Sequence, residues 1–142
     1  MEAQIRLKKM PNVLKKERLQ TAVKIALQNA AAKYKEMTLD YIDEGKSFRN
    51  RTGVLRQSII AVNNRVAAMA RYAPFVEFGT RPHIILPRRK KALRFIKDDK
   101  EIFAKRVRHP GSKAYPFLFA DIQRRKEEVA KIFIRSFVEE LS

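Results

Sequence analysis

Residues 11–45 read PNVLKKERLQTAVKIALQNAAAKYKEMTLDYIDEG, and this stretch decides the fold. Pro11 suits the first turn of a helix, where its missing N–H group is not needed, and Gly45 is a natural stop at the other end. Between them, apolar residues recur every three or four positions, as on one helix face, at Leu19, Val23, Ala26, Ala30, Tyr34, Met37 and Tyr41. We therefore predict one long helix from Pro11 to Glu44.

A second helix is predicted near the other end of the sequence, from about Pro116 to Leu141, with Pro116 in its first turn. Its apolar face becomes wider toward the C-terminus than a surface helix needs. Either this end is buried in the core or it docks on a neighbouring subunit. The candidate subunit contact consists of Phe133, Ile134, Phe137 and Val138.

Short elements are predicted between these helices. Thr52 is placed to cap a short helix over Gly53–Ser58. Two strands flank Asn63-Asn64, a pair that favours turns. The strands are Ile59–Val62 and Val66–Met69.

The next segment, Tyr72–Phe78, fits either one or two helical turns or a short strand, and Gly79 ends it. Further strands are predicted at His83–Leu86 and in a hairpin of Leu93–Ile96 with Ile102–Val107 about residues 98–100, ended by His109-Pro110-Gly111. These elements predict an α+β fold, a single domain over residues 1–142. Its long N-terminal helix and its C-terminal helix would pack against a small antiparallel sheet.

Composition excludes several classes of protein. Cysteine is absent, so disulfide scaffolds and thiolate metal sites are excluded. No apolar run approaches the ~20 residues that span a bilayer, and the first residues, MEAQIRLKKM, lack the apolar core of a signal peptide. We expect no membrane association and synthesis in a cytoplasm.

The formal net charge is +17, and it is unevenly distributed. Residues 51–113 carry 16 basic and 4 acidic side chains, whereas residues 114–142 carry 5 of each. Such a field favours an anionic partner in the middle of the chain, although a solvated basic surface is an equal alternative. The densest run follows Pro87. The candidate contacts to an anionic partner or DNA are Arg88, Arg89, Lys90, Lys91, Arg106 and Arg108.

No catalytic or cofactor constellation is evident. A nucleophilic triad needs a positioned base, and both histidines, His83 and His109, lie beside prolines and suit turn or packing roles. No metal-ligand spacing or phosphate-binding glycine loop occurs, so we expect no metal and no cofactor. One enzymatic alternative survives, a small basic ribonuclease. Its residue types are present at Tyr72, Arg81, His83, Arg88, Arg89 and His109.

A succession of short motifs resembles a known family. The fragments occur in the order Arg51-Thr52-Gly53, Tyr72-Ala73, Val76-Glu77-Phe78-Gly79-Thr80, Pro82-His83, Lys91-Ala92-Leu93, His109-Pro110-Gly111 and Pro116-Phe117-Leu118. Together they resemble the tail-completion family of long-tailed bacteriophages, also described as head–tail joining, neck or minor tail proteins. The resemblance covers roughly residues 10 to 138.

The resemblance implies an α+β structural subunit of a virion, made in the host cytoplasm and placed at the head–tail junction. It implies a homo-oligomeric ring, six-fold or twelve-fold, in contact with neighbouring neck, connector or tail proteins and possibly with double-stranded DNA in its lumen. The motif residues suit structural roles, and Glu77 is expected to pair with an arginine. Besides the ribonuclease, the alternative is a non-sequence-specific nucleic-acid-binding protein.

Overall fold

The computed structural model describes residues 16–49 and 51–142. It has the predicted α+β class, with a long N-terminal helix, a C-terminal helix and small antiparallel sheets. In chain order the elements are α1 Lys16–Asp43, α2 Val54–Gln57, β1 Ile59–Val62, β2 Arg65–Ala68, α3 Ala73–Phe78, β3 His83–Ile85, β4 Leu93–Lys97, β5 Lys100–Ala104, β6 Val107–His109 and α4 Ile122–Leu141. The predicted helix start, Pro11, lies outside the described residues.

The chain divides into two compact units. The first contains the described residues up to Met69 together with Asp121–Ser142, and therefore α1, α2, β1, β2 and α4. The second, Ala70–Ala120, contains α3 and the strands β3 to β6. The prediction of a single domain over residues 1–142 stays a prediction.

In the first unit, α1 packs antiparallel to α4. Two hydrogen bonds fix this direction: Arg125 Nη1 donates to Thr38 Oγ1 at 3.1 Å, and Asn29 Nδ2 donates to Ser136 Oγ, also at 3.1 Å. Small side chains let the helices approach closely, because they keep the backbones from being held apart. The buried alanines of α1 are Ala22, Ala26, Ala30 and Ala31.

A fully buried arginine lies at this helix contact. The guanidinium carbon of Arg125 lies 5.7 Å from the ring centroid of Tyr34 and 5.0 Å from that of Tyr41, and the residue has no exposed surface. Aromatic faces attract a cation that has lost its water, so these rings offset part of the cost of burying the charge. Sequence reasoning did not single out Arg125, because an arginine on an amphipathic helix usually lies on the solvent side.

The ends of α1 and α2 are close to the predictions. Helix α1 ends at Asp43, and Gly45 takes the left-handed φ of 67° that stops it, as predicted. Helix α2 begins at Val54 with Gly53 at its N-cap, so the capping role predicted for Thr52 is wrong by one residue. The Thr52 hydroxyl accepts only a long 3.5 Å contact from the Val54 N–H.

The first hairpin is predicted well. Strand β1 has the predicted bounds, and β2 begins one residue earlier than predicted because Val62 pairs with Arg65 around the two-residue turn. Asn63 in that turn has a φ of 55°, which asparagine tolerates better than most residues. Helix α1 packs on this hairpin through both strands.

The second unit contains two separate antiparallel pairs, β3 with β6 and β4 with β5. The predicted β4–β5 hairpin forms, but its turn is Asp98-Asp99, with φ of 50° and 59°, and Lys100 belongs to β5. Positive φ at both turn residues marks the type I′ turn, whose twist matches that of paired strands. Val107 does not extend β5 as predicted, because it pairs with Ile85 of β3.

The start of the last helix was predicted wrongly. Helix α4 begins at Ile122 after Asp121, which has a φ of 50°, and not at Pro116. The backbone N–H groups of Phe117, Leu118 and Phe119 are bonded to a distant side chain and lie outside any helix. The ambiguous segment Tyr72–Phe78 is helical as α3, with Pro74 in its first turn.

Candidate functional site

The motif residues of the second unit meet in one interlocked structure. The Glu77 carboxylate is 4% exposed and accepts three backbone N–H groups. Phe117 and Leu118 donate to Oε2 at 2.9 Å each, and Phe119 donates to Oε1 at 3.1 Å. The expected arginine partner is therefore wrong, because converging backbone dipoles of residues 117–119 satisfy the charge instead.

Two glycines in the same unit permit close backbone approach. Gly79 has a φ of 71°, and a Cβ there would lie 2.5 Å from the Ser112 carbonyl oxygen. Gly111 has a φ of 89°, and a Cβ there would collide with the Thr80 carbonyl oxygen. Between them, Thr80 and Ser112 exchange backbone hydrogen bonds of 3.0 and 3.1 Å. Only glycine fits either position.

This arrangement, which we call the Glu77 lock, consists of Glu77, Gly79, the Thr80–Ser112 bridge, Gly111 and residues 115–119. A further bond joins Tyr115 N–H to the Val76 carbonyl at 2.8 Å. The lock fastens the segment before α4 to α3. Every group in it serves a structural purpose, and Pro116 and Phe117 take part as loop residues, with Phe117 buried.

The two histidines lie opposite each other on β3 and β6. Their ring centroids are 5.0 Å apart, with the rings inclined by 27°. His109 Nδ1 accepts the Gly111 N–H at 3.1 Å, and His83 Nδ1 lies 2.9 Å from the Arg81 carbonyl oxygen. Each ring thus commits one nitrogen to the backbone, in keeping with the predicted turn and packing roles.

The predicted basic residues all lie on the surface. Arg88, Arg89, Lys90 and Lys91 are exposed in the connection between β3 and β4. Arg108 lies opposite Ile84 in the β3–β6 pair, and Arg106 precedes β6, so both flank the strand from which the run continues. Within the described part of the chain, none of the six forms an ion pair.

The predicted subunit contact on α4 is accessible. Ile134 is 61% exposed and Val138 is 55% exposed, whereas Phe133 and Phe137 are half-buried. The two phenylalanine rings are nearly parallel, with centroids 6.1 Å apart. The face is therefore not closed within one chain, and its role as a subunit contact stays a prediction.

An apolar groove, which sequence reasoning missed, runs along the α1–α4 pair of the first unit. Its volume is about 580 Å³. It was not predicted because its walls come from two helices far apart in the sequence. We call it the α1–α4 groove, and its lining residues are Leu27, Ala30, Tyr34, Ile122, Lys126, Val129, Ala130, Phe133 and Ile134.

Two further searches of the structure bear on ligands and membranes. Over residues 16–49 and 51–142, no group of three His, Cys, Asp or Glu side chains is placed to hold a metal ion. No helix in the same residues combines the length and the apolar character needed to cross a membrane. No family model, curated protein or solved structure matches this chain.

Proposed function

We propose that this chain is a structural subunit of the head–tail junction of a long-tailed bacteriophage, a neck or tail-completion protein without catalytic activity of its own. The observation that carries the proposal is the Glu77 lock. The motif residues that resemble the family converge there, and each one holds backbone in place. Residues used for chemistry would instead present polar groups to a ligand.

The proposed assembly is a ring of identical subunits, six-fold or twelve-fold, that joins the DNA-filled head to the tail. A closed ring needs a heterologous contact, in which two different patches of the same chain meet. The accessible apolar end of α4, with Ile134 and Val138 exposed, supports one such patch. Exposed apolar surface of this kind is typical of interfaces between proteins.

The geometry of the histidines argues against the ribonuclease alternative. In phosphoryl transfer, the attacking and leaving oxygens lie in line on opposite sides of phosphorus, so an acid and a base must flank the phosphate. The His83 and His109 rings stack with centroids only 5.0 Å apart, which leaves no space for a phosphate between them. Purified protein should therefore leave RNA and DNA intact. Cleavage that disappears in His83→Ala or His109→Ala would overturn this part of the proposal.

The basic run supports an anionic neighbour in the particle. We favour an acidic ring of a neighbouring neck, connector or tail protein over lumenal double-stranded DNA. Tight phosphate contacts would hinder DNA that must slide through a channel, whereas a fixed acidic protein surface poses no such conflict.

The proposal is tested by assembly and joining. Native mass measurements should give a closed ring, and the protein should restore joining of heads to tails in extracts that lack it. A variant with serine at Arg88, Arg89, Lys90 and Lys91 should reduce joining and make it more sensitive to salt, while joined particles keep their DNA. The matched control removes four exposed basic residues of the first unit, Lys16, Arg18, Lys24 and Arg49.

The outcomes separate the alternatives. If joining survives and the serine variant binds DNA more weakly with a flatter salt dependence, the basic run contacts DNA. If both four-residue variants behave alike, the run is only a solvated surface. A monomer that binds nucleic acid and never joins heads to tails would overturn the structural proposal in favour of a nucleic-acid-binding protein.

A further inference from the structure

The β4–β5 hairpin carries an exposed apolar face that nothing in its own unit pairs with. Its strands hydrogen-bond only to each other as a two-stranded sheet. Ile96 is 72% exposed and Phe103 is 65% exposed, and the register puts both on one face. An isolated two-stranded hairpin is marginally stable in water, so such a face gains from a partner surface.

The α1–α4 groove is the matching surface. It is apolar except for Lys126 and the Tyr34 hydroxyl, and Ile134 at its edge is 61% exposed. A five-residue strand is about 17 Å long, and the α4 stretch from Ile122 to Ile134 is about 18 Å long. The hairpin face and the groove therefore agree in length as well as in apolar character.

The charges at the two surfaces are complementary. Asp98 and Asp99 form the exposed tip of the hairpin, and neither makes an ion pair with any other described residue. Lys126 on the groove is likewise exposed and forms no ion pair within residues 16–49 and 51–142. Since both surfaces belong to the same chain and differ from each other, they meet the requirement for a heterologous contact.

We propose that the β4–β5 hairpin of one copy docks in the α1–α4 groove of a second copy, with Ile96 and Phe103 against the groove wall and the Asp98-Asp99 tip beside Lys126. This inference rests on the proposed function in that it supplies the contact by which the ring closes. The groove rejects nucleic acid as an occupant, because its walls are apolar.

Cysteine cross-linking tests the contact, since the natural chain has no cysteine. We would mix Ile96→Cys protein with Ile134→Cys protein, so that only a bond between two chains can join the two sites. The expected result is a mixed disulfide dimer, formed about tenfold or more faster than by Ile96→Cys with Val62→Cys. Val62 is the matched control because it is 53% exposed in the first unit outside the groove lining.

Charge reversal supplies a second measurement that does not depend on thiol chemistry. Lys126→Glu alone and the double change Asp98→Lys with Asp99→Lys should each weaken self-association, on the order of tenfold. Combining the three changes in one chain should restore it, because the tip and groove charges are then exchanged. All these side chains are exposed, so thermal unfolding of each variant should match that of the natural chain.

The results distinguish this inference from the proposed function. A ring that forms and joins heads to tails, but cross-links no better at Ile96–Ile134 than at the control pair, overturns the docking contact alone. Self-disulfides of Ile96→Cys as the dominant product also overturn it, because they place two hairpins together. A chain that stays monomeric in every measurement overturns both the contact and the ring.

Discussion

Glu77 shows how one residue can be recognised in a sequence and still be assigned the wrong partner. Its apolar neighbours, Val76 and Phe78, mark a carboxylate that needs compensation, and that much follows from the sequence. The compensation comes from the N–H groups of residues 117–119, some 40 positions away. Backbone donors leave no signature in sequence, whereas the surrounding arginines are obvious, so local composition favoured the wrong partner.

Replacing Glu77 by glutamine should destabilise the protein. Glutamine keeps the size of the side chain, but its amide nitrogen would face a backbone N–H group and leave it without an acceptor. Loss of a buried charged acceptor of this kind costs about 1–3 kcal/mol. Urea unfolding followed by circular dichroism measures the change, with the exposed Glu140→Gln as control. An unfolding free energy equal to that of the control would contradict the role of the carboxylate in the lock.

Gly79 and Gly45 form a matched pair that separates steric closeness from backbone strain. Their φ values are 71° and 67°, so alanine is strained at both. Nothing lies within 4 Å of a Cβ at Gly45, whereas a Cβ at Gly79 would meet the Ser112 carbonyl oxygen at 2.5 Å. Gly45→Ala should cost about 1–2 kcal/mol, and Gly79→Ala clearly more.

The measurement is the midpoint of thermal unfolding for both alanine variants. Gly79→Ala should also expose the segment around residues 112–119 to proteolysis, because the Thr80–Ser112 bridge must move. Equal midpoints for the two variants would mean that the close backbone approach at Gly79 contributes nothing beyond the strained φ.

At the scale of elements, periodic and local signals predicted well and distant pairings did not. The long run of residues 11–45 and the Asn63-Asn64 turn gave α1 and the first hairpin nearly to the residue. The start of α4 was misplaced because Pro116 looks like a helix start, while the bonds from Glu77 hold the following residues out of the helix. Similarly, Val107 has strand character, but only the fold determines that it pairs with β3.

An ion pair joins the end of α1 to α2 and gives a pH-dependent contribution to stability. Arg56 Nε donates to Asp43 Oδ1 at 2.7 Å, and Arg56 Nη2 donates to Oδ2 at 2.8 Å. These bonds, and the charge of the guanidinium, lower the pKa of the Asp43 carboxyl. Because the pKa is lower in the folded chain, the contribution is fully present above the unfolded pKa of about 4. It is lost as the pH falls through the folded pKa.

Asp43→Asn should therefore flatten the decline of unfolding free energy with falling pH below about pH 5. Arg56→Gln should flatten it equally, and the double variant should show no further change, since one pair is responsible. Both side chains are exposed, so the effect is small, and it should shrink further in high salt. Unequal single variants would show that Asp43 or Arg56 acts through another group.

At the scale of the whole molecule, the net charge of +17 opposes self-assembly. Each added subunit brings the same basic surface toward its neighbours, and the repulsion acts over roughly 8–10 Å at moderate ionic strength. The apolar contact proposed for the ring must overcome that repulsion. An acidic neighbour in the particle would remove it, and this links the two proposals: the partner of the basic run also makes the ring more stable.

Salt should therefore act in opposite directions on the two steps of assembly. Raising ionic strength from about 0.05 to about 0.3 M should strengthen self-association, because it screens like charges, and should weaken binding of the ring to an acidic partner. The Lys126 contact with Asp98 and Asp99 opposes the first trend, but it involves few charges beside the excess of basic groups. Sedimentation of the chain alone, and with a neck or tail partner, measures both steps. Serine at Arg88, Arg89, Lys90 and Lys91 removes four positive charges, so the variant should associate with itself more readily at low salt and depend less on salt. If the variant and the natural chain show the same salt dependence, the run is too far from the subunit contacts to repel them, and the repulsion must come from other basic side chains.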